Sequence, residues 1–185
     1  MKDTTILKLN KIFKNGYLPS RDKNEKYNYI AFSGKNLAKI TNCFEHACFN
    51  LTNEQLENFG ISDLKNFFSL PKLSNDELSQ EDMFEVVKDA ITSTGLKVKK
   101  MQEQTNNKSW NVAMYFSDYD IDLHFLLQEK DGTWSGKFGE SNVIDHFNIL
   151  PLKIIGTNVD YHLYKVFTIE NPYIKVDNKN NELGS

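Results

Sequence analysis

Cysteine is scarce in this chain: there are two, Cys43 and Cys48, in 185 residues. They lie five residues apart inside one predicted helical stretch, pointing in different directions, which is poor geometry for a disulfide. A disulfide scaffold is excluded, and so is a four-ligand Cys/His zinc finger. No apolar run approaches the ~20 residues of a membrane span. The stretch from Met1 to Leu9 is too charged and interrupted for a signal peptide. A strong excess of either charge is missing as well: 22 basic side chains face 25 acidic ones, for a net charge of -3. That balance speaks against a dedicated nucleic-acid binder, which carries a basic stripe. The expectation is a cytoplasmic protein, or one exported without a classical signal, as an injected effector would be.

What is present suffices for one domain. At 39% hydrophobic residues, a chain of this length buries roughly 70% of its unfolded surface without a covalent staple. Residues 1–176 read as a single domain and residues 177–185 as a flexible polar tail. Leu183-Gly184-Ser185 has the look of a cloning scar.

Apolar spacing predicts a short amphipathic helix over 4–14, ending at Asn15-Gly16. Tyr17 to Tyr29 reads as a loop. Residues 36–50 carry helical spacing, but Thr41 and Asn42 prefer caps to helix interiors. A new helix starting at Cys43 is an equally good reading. Thr52 and Gln55 suggest a capping box for another short helix, and Pro71 closes that region. The strongest helix runs from Ser79 to Thr94, with Met83, Val86, Val87, Ala90 and Ile91 on one face.

After Gly95 the pattern turns to strands, over 96–101, 111–116, 123–129, 133–138, 143–147, 152–155 and 162–169. Asp131-Gly132 signals a hairpin. Helices first and mostly antiparallel sheet afterwards is the α+β arrangement. The run Lys97-Val98-Lys99-Lys100 suits a solvated sheet edge. Trp110 and Trp134 suit the core or a sheet face.

Two clusters can carry chemistry. In Asn42-Cys43-Phe44-Glu45-His46-Ala47-Cys48, a cysteine that opens a helix lies beside unpaired N–H groups and the positive dipole end, which favours thiolate. Cys48, deeper on the apolar face, reads as packing. The bland alternative is that both thiols are core. In Asp118-Tyr119-Asp120-Ile121-Asp122-Leu123-His124-Phe125, alternating carboxylates suggest a calcium loop. The sixth and twelfth places hold Leu123 and Glu129, so the glycine the loop needs is missing. His124, at a strand start, reads as a base or as a side chain facing solvent.

Together the clusters suggest a thiol enzyme: Cys43 at a helix start, His124 on a later strand, then a polar group that fixes the imidazole. Asp145, Asn142 and Asp160 are candidates for the third role, with Asp122 a local rival. Asp145 is expected beside His124 on an adjacent strand. His46 and His162 are alternative bases. His146 should point away from the Asp145 face. Such chemistry needs no cofactor and no metal.

These residues resemble small bacterial proteins of the papain-like cysteine peptidase superfamily. Those carry an Asn-Cys-aromatic helix start, a later His-aromatic stretch, an Asp-Gly-x-Trp-Ser-His-Lys-Pro-Gly segment and then an Asp. The matches are Asn42-Cys43-Phe44 with Ala47, His124-Phe125, Asp131-Gly132-Thr133-Trp134-Ser135-Gly136-Lys137-Phe138-Gly139 and Asp145. Gly136 and Phe138 replace the usual His and Pro. The resemblance implies a papain-like fold and a thiol hydrolase of peptide or amide bonds with Cys43, His124 and Asp145 as triad, a protein or peptide being its substrate. Asn42, Asn36 and Trp134 are the candidates for binding substrate or oxyanion, since the glutamine that papain-like enzymes place before the cysteine is absent. Deamidase and acyltransferase chemistry use the same intermediate. The rival reading is a catalytically inactive binding module of the inhibitor or immunity type.

Overall fold

The computed structural model describes residues 2–19, 21, 41–51, 53–62, 64, 67–68, 79–118, 122–138, 144–156 and 158–175. Asn36, Thr52, Pro71, Asp120, Asn142, most of the predicted 17–29 loop and the 177–185 tail lie outside the described residues.

Among the described residues four helices come first: α1 (Lys2–Lys14), α2 (Cys43–Cys48), α3 (Asn53–Asn58) and α4 (Gln80–Thr92). The second reading of the 36–50 stretch holds, with a helix that begins at Cys43. Its cause is Asn42, whose extended backbone and side-chain oxygen suit the cap better than the interior. α4 begins at a Ser79–Asp82 capping box and buries Met83, Phe84, Val87 and Ile91.

Seven strands follow among the described residues: β1 (Lys97–Lys100), β2 (Ser109–Ser117), β3 (Leu123–Gln128), β4 (Trp134–Lys137), β5 (Ile144–Phe147), β6 (Lys153–Ile155) and β7 (Asp160–Glu170). They form one antiparallel sheet ordered β1-β7-β2-β3-β4-β5, with β6 also on β7. The chain is therefore a mixed α+β protein whose C-terminal part is mostly sheet. The lysine-rich β1 sits at an edge, as its composition suggests. β3 and β4 are joined through Asp131-Gly132: Gly132 adopts φ +84°, and Asp131 Oδ1 accepts from Thr133 N–H at 3.0 Å.

Strand alternation divides the sheet into two apolar faces. One carries Trp110, Val112, Met114, Phe116, Leu123, Phe125, Leu127, Phe167 and Ile169, which pack on the helices. The other carries Ala113, Tyr115, Leu126, Trp134, Ile154 and Tyr161. The α2 helix lies on the first face, where the Phe44 ring meets Phe125 edge-on at 5.4 Å. No described helix is long and apolar enough to cross a membrane.

Candidate functional site

The Asn42 side chain accepts from the N–H groups of Phe44 (2.8 Å) and Glu45 (3.4 Å). Glu45 Oε2 accepts from Asn42 N–H in return. This closed box fixes where α2 starts and hence where Cys43 sits. It commits the Asn42 side-chain oxygen to the cap, so that only its amide nitrogen could serve the oxyanion role expected of it.

Cys43 is half-buried and free, and Cys48 is buried and free. The Cys43 thiol donates to Leu123 O across 3.6 Å, so the helix start abuts the head of β3. Burial pushes this thiol up to about 12, with the charges of Glu45 and Asp122 adding to the effect. The expected low-pKa thiolate is therefore absent from this arrangement: desolvation outweighs the helix start.

His124 follows Leu123 and points to the opposite face from Phe125. Its ring stacks on Phe138 at 4.1 Å and 14° and tilts against Tyr161 at 5.4 Å. Only 2% of the residue is exposed, and Nε2 has no hydrogen-bond partner among the described residues. Burial lowers its pKa to about 4, so the imidazole is neutral near pH 7. Among the described residues no hydrogen bond joins it to Cys43.

The space beside Nε2 belongs to Gly136. A Cβ there would come within 3.2 Å of Nε2 and 2.3 Å of the Leu126 Cδ2 methyl. Gly136 pairs with Leu126 on one side and with Asp145 on the other. Asp145 thus shares the His124 face, but two strands away. The expected adjacency fails because β4 intervenes between β3 and β5.

The remaining candidates are placed as follows. Asp122 accepts from Tyr161 O–H at 2.6 Å and from Leu123 N–H at 2.9 Å. His162 pairs with Asp118 at 2.7 Å and Asp160 with Lys153 at 2.6 Å. His46 lies 3.4 Å from Ser135 Oγ rather than on Cys43. His146 pairs with Ser135 across the strands and so lies on the face away from Asp145. Trp134 is 4% exposed and belongs to the second apolar cluster, which corrects its assignment to substrate binding. Among the described residues no group of three or more His, Cys, Asp or Glu side chains is arranged to hold a metal ion. Asp118 and Asp122, the described members of the candidate calcium loop, hold a histidine and a tyrosine instead.

Sequence reasoning missed a buried polar chain beneath α2. Ser135 Oγ donates to Glu129 Oε1 and lies beside His46. Lys137, 5% exposed, donates from Nζ to Thr41 O at 2.7 Å. The available signal was the segment Trp134-Ser135-Gly136-Lys137, whose polar members alternate onto the helix face. All four are buried because both faces of β4 are covered.

No curated protein and no solved structure matches the chain. A family model described as a domain of unknown function, DUF7689, matches residues 19–162, so the chain belongs to that family.

Proposed function

We propose that the protein is a papain-like thiol hydrolase acting on a peptide or amide bond, with Cys43 as nucleophile and His124 as general base. The observation that carries this reading is the placement of Cys43. It heads a capped helix and its sulfur touches the backbone of Leu123, the residue before a buried imidazole with no hydrogen-bond partner for Nε2.

Both groups are neutral at rest, which favours general-base activation over a standing thiolate–imidazolium pair. In this reading the thiol leaves Leu123 O and the head of β3 shifts, so that the thiol and His124, which lie on opposite faces of that strand, come within reach and the proton passes to the imidazole. The sulfur then attacks the carbonyl carbon, and the imidazolium returns the proton to the leaving amine. Water hydrolyses the acyl-thioester and restores the thiol. Asp145 would act on the imidazole from the far side of Gly136 rather than through a direct bond.

A second reading is a catalytically silent binding module. It is supported by the thiol's bond to Leu123 O and by the Leu126 methyl that packs over Gly136 beside His124. Iodoacetamide labelling and a thiol-directed activity probe separate the two, with adducts located by fragment mass spectrometry. Hydrolase chemistry predicts an adduct on Cys43 in preference to Cys48, lost in His124→Asn for the probe. Labelling of neither cysteine in the folded chain, with Cys43→Ala keeping full biological effect, would leave the binding module.

A further inference from the structure

The first turn of α2 carries an acid that the proposed chemistry does not use. Glu45 is 1% exposed, and its Oε2 accepts from Asn42 N–H at 3.0 Å. That bond folds the carboxyl back over the helix start, in the same turn as Cys43. The other oxygen, Oε1, is buried without a hydrogen-bond partner among the described residues. Lys137 reaches the same turn from β4 through Thr41 O. A buried carboxyl and a half-buried thiol thus share one turn, with a buried ammonium reaching it from β4, where water screens their charges little.

We propose that Glu45 is a brake on Cys43: ionised and anchored to Asn42, it keeps the thiol protonated, and once neutralised it releases it. The inference rests on the reading of Cys43 as nucleophile.

The groups that face this pair come from each packed element. Lys137 on β4 acts on Glu45, and Cys48 shares the helix. Asp122, just before β3, acts on Cys43, and Tyr161 on β7 lies within the thiol's electrostatic reach. Asp122 also opposes the thiolate, but both its oxygens accept hydrogen bonds, from Leu123 N–H and Tyr161 O–H. Glu45 has a buried oxygen free to take a proton, and burial moves its carboxyl up to about 8. The brake therefore engages as the solution turns alkaline, in the range where a thiol would otherwise ionise.

Glu45→Gln is the direct test, because the amide oxygen still accepts from Asn42 N–H and keeps the cap. Iodoacetamide alkylation of Cys43 is followed from pH 7 to 11 in the wild type, in E45Q and in E81Q, which removes an exposed charge on α4. E45Q is expected to move the profile to lower pH, with about a tenfold faster reaction at pH 9.5, while E81Q follows the wild type. An E45Q profile within twofold of wild type overturns the proposal. Should E45Q fail to fold, the carbon-13 shifts of Cys43 Cβ and Glu45 Cδ are titrated in the wild-type chain. A Cys43 Cβ shift that takes a first, smaller step at the Glu45 midpoint before its main thiol step supports the brake, and a Cys43 Cβ that does not move through the Glu45 step overturns it. Neither measurement uses a substrate. A shifted thiol in a chain that hydrolyses nothing keeps the brake and sinks only the hydrolase reading.

Discussion

His124 lies face to face with Phe138, ring centroids 4.1 Å apart and planes within 14°. His124 is buried against the half-buried Phe138 ring, and the imidazole is held neutral down to about pH 4. The folded chain therefore takes up this proton later than the unfolded one, whose ordinary histidine value is 6.5. The stability from a neutral His124 is complete above about pH 6.5 and is lost as pH falls towards 4, by up to about 3 kcal/mol. Urea denaturation at pH 7 and pH 4.5 measures it. His124→Phe, which keeps the stack, is expected to remove this acid sensitivity.

Glu45 acts in the opposite sense. Its folded value, about 8, lies above the ordinary 4.5, so the native chain holds this proton longer than the unfolded one. Its contribution is complete below about pH 4.5 and is lost as pH rises towards 8. Between pH 4.5 and 6.5 the two residues offset each other, and the wild-type stability curve is expected to be shallow there. In Glu45→Gln the curve should rise with pH across that window. A flat curve in the variant would show that neither group carries the linkage.

Gly136 is expected to tolerate no side chain. A methyl there meets Leu126 Cδ2 at 2.3 Å before it meets His124, and overpacking of this kind costs about 1–3 kcal/mol. Leu126→Ala removes the first obstacle, so the double variant G136A/L126A should lose less stability than the two single losses added together. Thermal melts of the four proteins close the cycle, and strict additivity would place the clash elsewhere.

Ser135 stands between Glu129 and His46 at 0% exposure. Ser135→Ala deletes the hydroxyl bonded to the buried Glu129 side chain and is expected to cost about 1–3 kcal/mol. Ser135→Thr retains the hydroxyl and should recover part of the loss. Equal stability of all three proteins would show that the chain of polar groups does not stabilise the fold.

Much of the architecture was legible because it rests on period and punctuation. The seven strands fall where alternating apolar residues and turn residues put them, and α4 starts at the serine that caps it. The start of α2 was readable from Asn42 for the same reason. The candidate site was less so. Cys43 and His124 were identifiable as residue types, but their protonation follows from burial, and burial depends on which strand covers which. The interposed β4 separates Asp145 from His124, and sequence order alone does not reveal that spacing. Trp134 reads as a substrate contact or as core until both faces of β4 are seen to be covered. Glu45 carried no reading of its own in the sequence, because its burial and its bond to Asn42 arise only once α2 is packed on the sheet.

The last described strand occupies an inner place in the sheet. β7 pairs with β2 along one edge, and with β1 and β6 at opposite ends of the other. Lys97 meets Glu170 and Ser109 meets the same residue, so these ladders close loops of some sixty to seventy residues, a costly step in chain entropy. Until β7 arrives, β2 offers an open edge and β1 has no sheet to join. During synthesis the helices and the β2–β5 meander can form early, but the sheet is completed only once residue 170 has emerged. Chains cut short before β7 are therefore the ones expected to associate through exposed strand edges.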